Sequence, residues 1–177
     1  MTNRESGIIG DCSVSVSSEE LIAMFKIGVL SDTHGYLDPR IPGLFEGVQH
    51  ILHAGDIGPQ SIITTLEETA PVTAVVGNTD CGLTFSETEA FVLAKHKFLL
   101  HHIVDVWMPS DVVKDRVARD RPEFVIFGHT HRQCCNEKDG VTYLNPGYSG
   151  LPKPSQKRSV AILNCSDRGV TTEFLEL

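Results

Sequence analysis

The chain has 177 residues, of which 41% are hydrophobic and 21% charged, values typical of one soluble globular domain. Its formal net charge is −8, from 15 basic and 23 acidic residues, which argues against binding along duplex nucleic acid. No apolar run approaches the roughly 18 residues that are needed to span a bilayer. We therefore expect neither a membrane nor duplex nucleic acid as a partner.

The N-terminal region differs in composition from the rest of the chain. Residues 1–23 are polar and rich in serine, and they lack the basic and apolar regions of a signal peptide. They predict a flexible extension, followed by a single domain over residues 24–177, and Met24 is an alternative start. The five cysteines form an odd set without CxxC spacing, which is typical of reduced thiols. We therefore expect a cytoplasmic protein.

From Met24 onward, short apolar runs alternate with glycine-rich loops and helical stretches. The runs predict strands at residues 25–30, 50–53, 72–76, 91–94, 98–100 and 124–127. Because these runs do not alternate with polar residues, they indicate strands that are buried on both faces. Helices are predicted at 59–69, with apolar residues on one side, and at 110–120, with Ser110 as the cap.

Beyond His131 the pattern becomes that of strands alone. Strands are predicted at 134–137, 141–145, 159–164 and 170–175, and the turn sequences KDG (138–140) and SDRG (166–169) predict hairpins. We interpret this half as a meander that follows βα units. Together the two halves indicate an α/β protein with two sheets packed together and helices outside.

Side chains that can bind a metal ion or take part in catalysis follow the predicted strands, at the points where the chain enters a loop. They occur in the segments SDTHG (Asp32, His34), HAGDIG (Asp56), VVGNTDCG (Asn78, Asp80), LLHHI (His101, His102) and GHTH (His129, His131). Since ligands of open α/β sheets bind beyond the carboxyl ends of the strands, we expect these side chains to share one rim. Carboxylate, imidazole and amide groups together suit a pair of Mn²⁺, Fe or Zn²⁺ ions. In D-x-H and H-x-H a single residue separates the two ligands, which places both side chains on one side of an extended segment.

The series D-x-H, G-D, G-N-x-D, H and G-H-x-H resembles the calcineurin-like metallophosphoesterase superfamily. The chain is similar in size to the small bacterial and archaeal phosphodiesterases of that family and to the fold of vacuolar sorting protein 29. The resemblance covers residues 24–177 and implies a four-layer α/β/β/α sandwich, with two mixed β-sheets packed together and flanked by helices. It also implies two divalent metal ions, for which Mn²⁺ is preferred over Fe, Zn²⁺ or Ni²⁺. One ion would be held by Asp32, His34, Asp56 and His131, and the other by Asp56, Asn78, His102 and His129, with Asp56 as the bridge.

The same resemblance implies an activity. The protein would be a phosphodiesterase that hydrolyses a small phosphate ester by attack of a hydroxide bridging the two ions. Its catalytic residues would be Asp56, Asn78 and His129, the last two by offsetting charge on the phosphoryl oxygens. The alternative is a non-enzymatic protein-binding scaffold on the same fold, and a homo-oligomer is compatible with either.

The sequence departs from the family pattern at two positions. After the strand predicted at 98–100, the chain reads HHI instead of a histidine followed by glycine, so the ligand is either His102 or His101. Related members that have two histidines at this point favour His102. Thr79 stands where larger members carry the histidine that protonates the leaving group. These departures leave two questions open: which histidine binds the second metal ion, and which group protonates the leaving group.

Further residues have two interpretations each. Asp80 either orients a ligand imidazole or stabilises a turn. Lys153, Lys157 and Arg158, which follow the family-like segment NPGYSG, either steer a phosphate or form a solvated surface. Trp107, the only tryptophan, is interpreted as a packing residue or part of a partner surface rather than a stacking platform.

Overall fold

The computed structural model describes residues 24–177, and the extension predicted over residues 1–23 lies outside the described residues. Within that range, strands β1 to β10 cover Phe25–Leu30, His50–His53, Val72–Ala74, Thr88–Leu93, His96–His101, Phe124–Ile126, Cys134–Lys138, Val141–Asn145, Ser159–Ser166 and Gly169–Glu176. Helices α1 to α3 cover Ile41–Leu44, Ser61–Glu67 and Asp111–Asp120. The predicted strands and helices are therefore all present, with ends that differ by a few residues.

The strands form two five-stranded mixed sheets. The first sheet has the order β10-β9-β1-β2-β3 and the second the order β4-β5-β6-β8-β7. In the first sheet, β1, β2 and β3 run parallel, whereas β9 and β10 are antiparallel to their neighbours. In the second sheet, β5, β6 and β8 run parallel between the antiparallel strands β4 and β7. In each sheet the parallel strands consequently end at a shared edge.

The four last strands do not form the meander that the sequence indicated. The two predicted hairpins are present, because Lys138 pairs with Val141 and Ser166 pairs with Gly169. However, β7 and β8 belong to the second sheet, and β9 crosses to the first sheet to pair with β1. The run Val160–Leu163 is buried on both of its faces, which suits an interior position between β1 and β10.

Three apolar clusters separate the layers. The cluster between the sheets includes Ile27, Val29 and Leu52 from the first sheet and Phe98, Leu100 and Ile126 from the second. The outer face of the first sheet packs against α1 and α2, through Leu30, Ile51, Ile162, Ile41, Ile63 and Leu66. The outer face of the second sheet packs against α3, through Leu99, Val125, Tyr143 and Val113. Because successive strand residues face opposite sides, both faces of each sheet are apolar, and the four-layer prediction is confirmed.

Helix α1 is the element that the sequence pattern does not predict. It contains only four residues, Ile41–Leu44, and two of them are proline and glycine, which usually indicate a turn. The proline lies in the first helical turn, where a missing N–H costs nothing. The helix is held by burial of Ile41 and of Phe45, whose ring lies so close to Gly28 that a Cβ there would be 2.8 Å from it. Within residues 24–177, no helix combines the length and apolar composition needed to cross a membrane.

Candidate metal centre

The loops that follow β1, β2, β5 and β6 are joined by backbone hydrogen bonds. Asp32 N–H donates to the Gly55 carbonyl (3.0 Å), and His34 N–H donates to the Asp56 carbonyl (2.9 Å). In the second sheet, Gly128 N–H donates to the His102 carbonyl at 3.0 Å, and His102 Nδ1 lies 2.7 Å from the Ala54 carbonyl of the first sheet's loops. These bonds fix the separation of the loops, so the side chains they carry meet in one place.

The first group of potential ligands consists of Asp32, His34 and His131. The Nε2 atom of His131 lies 3.2 Å from Asp32 Oδ1, and that of His34 lies 3.9 Å from the same oxygen. The two imidazole Nε2 atoms are 3.3 Å apart. One carboxylate oxygen and two ring nitrogens therefore surround a common point.

The second group consists of Asp32, Asp56 and His102. His102 Nε2 lies 3.4 Å from Asp56 Oδ2 and 4.0 Å from Asp32 Oδ1. Asp56 Oδ2 is also 3.7 Å from Nε2 of His34, in the first group. Each carboxylate thus contacts histidines of both groups, and the bridging role of Asp56 stays a prediction.

Two buried ligand atoms of the second group have no hydrogen-bond partner among the described residues, Asp32 Oδ1 and His102 Nε2. The Nδ1 atom of His102 lies 2.7 Å from the Ala54 carbonyl, which can only accept, so Nδ1 carries the proton. Nε2 therefore directs a lone pair at the two carboxylates. Buried polar atoms are normally paired, and lone pairs facing one another need a cation between them. The donor set accordingly fits a divalent metal ion.

Burial and neighbouring groups shift the pKa values of several candidate ligands. Burial is the largest cause that raises the pKa of Asp32, to about 7, and the neighbouring Asp56 adds to it. Burial likewise lowers the pKa values of His102 and His131. For Asp56, burial acts to raise the pKa, but the Thr79 N–H at 2.9 Å and the nearby imidazoles lower it. The imidazoles of His102 and His131 are thus neutral near pH 7, the form that binds metal.

His129 and Asn78 lie at the open side of this cluster. His129 N–H donates to Asp32 Oδ2 at 3.1 Å, and its ring stands edge-on to the ring of His102, with centroids 5.4 Å apart. Asn78 is exposed and lines a cavity of about 240 Å³ together with His101 and His102. Both residues are accessible to a bound substrate, and their roles as ligands and catalytic residues stay predictions.

The backbone is strained at five of the candidate ligands. Asp32, His34, Asp56, His129 and His131 have positive φ angles, of 57°, 47°, 53°, 66° and 57°. The D-x-H and H-x-H segments are therefore not extended, and the argument from alternation along a strand is wrong. Left-handed turns direct these side chains instead. Residues other than glycine rarely adopt this conformation, and such strain clusters at functional sites.

Two glycines make room for the carboxylates. A Cβ on Gly77 would collide with Asp56 Oδ1, and one on Gly128 would collide with Ser31 Oγ and lie 2.7 Å from Asp32 Oδ2. Neither glycine has a positive φ angle, so the requirement is for space. The glycines of G-N-x-D and G-H-x-H are thus part of the site.

Asp80 stabilises a turn and does not orient an imidazole. Its carboxylate accepts hydrogen bonds from the backbone N–H groups of Ile57, Gly58 and Gly77, each at 2.8 Å. It thereby joins the loop after β2 to the loop after β3. The acceptor that orients His102 is the Ala54 carbonyl. Because every residue has a backbone carbonyl, the sequence carries no signal for this role.

The basic residues after NPGYSG have different environments. Arg158 is buried and its Nη2 atom lies 2.7 Å from Asp38 Oδ2, so neither interpretation given for Arg158 is correct. Lys153 Nζ lies 4.8 Å from the centroid of the Tyr148 ring, and that ring packs on His131 with centroids 4.6 Å apart. Tyr148 is fully buried behind this candidate ligand, a contact that the sequence did not reveal although the motif pointed to the segment.

The two histidines of LLHHI face different surroundings. His101 Nδ1 lies 2.8 Å from Thr88 Oγ1 and 3.0 Å from the Glu87 carbonyl, away from the carboxylates. We expect His102→Ala to lower the bound metal by about one ion per chain, whereas His101→Ala should retain it. Elemental analysis of the two purified variants, with circular dichroism to check folding, makes the comparison. Loss of metal in His101→Ala alone would reverse the assignment.

The paired mixed sheets and the ligand loops at their edges define a calcineurin-like phosphoesterase domain. The family model described as "Calcineurin-like phosphoesterase superfamily domain" matches residues 25–168, and the chain therefore belongs to this superfamily.

Individual relatives agree with this membership. A probable metallophosphoesterase of Methanothermobacter thermautotrophicus is 30% identical over 158 residues, which are 84% of this chain and 91% of that protein. An archaeal phosphodiesterase of known structure has a TM-score of 0.67 and 23% identity, over 86% of this chain and 100% of that one. Vps29 of Entamoeba histolytica, solved in complex with Zn²⁺, has the same TM-score of 0.67 and 21% identity, over 86% and 99% of the two chains.

Proposed function

We propose that the protein is a phosphodiesterase that hydrolyses a small phosphate ester with two divalent metal ions. The observation that carries this proposal is the pair of buried atoms without hydrogen bonds, Asp32 Oδ1 and His102 Nε2, which face each other at 4.0 Å. The proposed ligands are Asp32, His34, Asp56, Asn78, His102, His129 and His131. The similarity to an archaeal phosphodiesterase supports diesters as the substrate class.

Each proposed ligand contributes to the chemistry through its charge and exposure. When bound, two divalent ions lower the pKa of a water from about 15.7 toward 7 and offset charge on the phosphoryl oxygens. Asp32 and Asp56 balance the charge of the ions from the buried side. His129 and Asn78, on the exposed side, position the phosphoryl group. We propose Mn²⁺ because carboxylate, imidazole and amide groups suit it together.

Protonation of the leaving group limits the range of substrates. Thr79 takes part through its backbone N–H, which donates to Asp56 Oδ1 at 2.9 Å, and its hydroxyl is a poor acid near pH 7. An ester whose leaving group departs without a proton avoids this step. We therefore expect aryl diesters to react faster than alkyl diesters.

The test is hydrolysis of bis(p-nitrophenyl) phosphate. Protein stripped with a chelator should be inactive, and addition of Mn²⁺ should restore release of p-nitrophenol. The monoester p-nitrophenyl phosphate, with the same leaving group, should react at least about tenfold more slowly if the site prefers diesters. Protein that binds Mn²⁺ but hydrolyses neither compound would contradict the proposal.

A protein-binding scaffold is the second candidate. It is favoured by the similarity to Vps29 of Entamoeba histolytica, whose structure holds Zn²⁺. A scaffold on this fold would bind metal but would not hydrolyse the diester. The assay above separates the two candidates, since both predict metal content and only one predicts turnover.

We also propose that the protein is cytoplasmic. Cys81, Cys134, Cys135 and Cys165 are all free thiols. Free thiols are typical of a reducing compartment, which supports this location.

A further inference from the structure

Trp107 is one of the most exposed large apolar side chains among the described residues. Its relative exposure is 72%, so the packing role considered for it is wrong. It belongs to the loop after β5, next to exposed Met108 and four residues beyond exposed Ile103. Large apolar side chains that cluster on a surface usually mark a binding site.

The loop that carries Trp107 is held in place by hydrogen bonds. Asp105 Oδ1 accepts from the N–H groups of Trp107 (2.8 Å) and Met108 (2.9 Å). Lys138 Nζ donates to the Val106 carbonyl at 2.9 Å and lies 5.4 Å from the centroid of the Trp107 ring. The backbone that carries the indole is therefore held in place before any ligand binds, which lowers the entropic cost of binding to this loop.

One groove is lined both by Trp107 and by a residue of the candidate metal centre. Its volume is about 500 Å³, within the range of about 300–1,000 Å³ that is usual for small-molecule sites. Trp107, Ile103 and His129, a proposed ligand of the second ion, all belong to its lining. Arg132 and Asp105 also line the groove, and the Asp105 carboxylate accepts the two backbone N–H groups described above. A phosphate held at the metals would thus place one of its ester groups in the groove.

We infer that this groove binds a planar aromatic ester group, a nucleoside or an aryl group, which stacks on Trp107 while the phosphate occupies the metal centre. The inference rests on the proposed function and names its substrate class. The occupant is aromatic because an exposed indole lines the groove beside the apolar side chains of Ile103, Val104 and Phe127. It is part of a phosphate ester because His129, a residue of the proposed metal site, lines the same groove.

Binding can be followed directly, because Trp107 is the only tryptophan of the chain. Full-length protein loaded with Mn²⁺ is titrated with adenosine 5′-monophosphate or with inorganic phosphate, and the indole emission is recorded. We expect saturable quenching by the nucleotide and a much smaller change with phosphate alone. Equal responses to both would overturn the inference. A blue shift with rising protein concentration, without nucleotide, would show that a second copy covers the groove and would also overturn it.

Kinetics provide the second measurement. Trp107→Ala should raise KM for bis(p-nitrophenyl) phosphate about tenfold, as expected for loss of an aromatic stack, with kcat within about twofold and unchanged metal content. Met108→Ala is the matched control, since Met108 is on the same loop and 79% exposed but does not line the groove, and its KM should be that of the wild type. Equal KM values for both variants and the wild type would overturn the inference. Absence of turnover in the wild type would contradict the proposed function alone, because the titration still tests the groove.

Discussion

Asp56→Asn should reduce diester hydrolysis on the order of a thousandfold and should lower the amount of bound metal. Asp56 Oδ2 lies within 3.4 Å of His102 Nε2 and 3.7 Å of His34 Nε2, so its charge acts on both ligand groups. Loss of residues that only support a ligand costs about 10- to 100-fold in metal affinity or activity, and loss of a shared ligand should cost more. Elemental analysis and the rate of p-nitrophenol release measure the two effects.

The matched control is Asp111→Asn, which removes the same charge from an exposed side chain at the start of α3. It should keep the metal content and rate of the wild type. Asp32→Asn adds a sharper comparison, because Asp32 belongs to both ligand groups. If Asp32→Asn releases both ions and Asp56→Asn releases one, the bridging carboxylate is that of Asp32, and the role predicted for Asp56 is wrong.

The sequence predicted elements well where one local property decides them. The apolar run 25–30 became β1 without change, and Ser110 caps α3 by accepting from Val113 N–H, as predicted. Partner choice between strands is not local, and so the crossing of β9 into the first sheet could not be derived from its own residues. Helix α1 was missed for a related reason, since burial of Ile41 and Phe45 outweighs the turn preference of proline and glycine.

At the candidate site, the sequence identified the chemical groups but not what holds them. The motif residues Asp32, His34, Asp56, His102 and His131 do lie together, because parallel strands bring their following loops to one edge. The supports are backbone atoms or distant residues, such as the Ala54 carbonyl behind His102 and Arg158 behind the first loop. Such contacts depend on the folded arrangement, and residue spacing does not encode them.

Arg158→Ala should lower the free energy of unfolding by about 3 kcal/mol, as expected when one partner of a buried ion pair is removed. Arg158 Nη2 lies 2.7 Å from Asp38 Oδ2, and its Nε donates to the Gly150 carbonyl at 2.7 Å. The adjacent Ser149 hydroxyl donates to the Ser31 carbonyl at 2.6 Å, directly before Asp32. Loss of the arginine should therefore loosen the first ligand loop as well. Urea denaturation at pH 7 measures the stability, with exposed Lys157→Ala as the control that should leave it unchanged.

The effect of Arg158→Ala should also depend on pH. The Arg40 guanidinium first, and then Arg158, hold the pKa of Asp38 well below its ordinary value. A carboxyl whose pKa is lowered by folding contributes stability above its unfolded pKa of about 3.9, and this contribution is lost as the pH falls toward the folded value. Because Arg40 still lowers the pKa of Asp38 in the variant, the difference between wild type and Arg158→Ala should stay constant down to about pH 4 and shrink only on further acidification, while the hydrogen bond to Gly150 keeps it above zero. A difference that does not shrink on this further acidification would mean that the charge of Asp38 contributes nothing to the pair, and that Arg158 stabilises the loop through its carbonyl contacts alone.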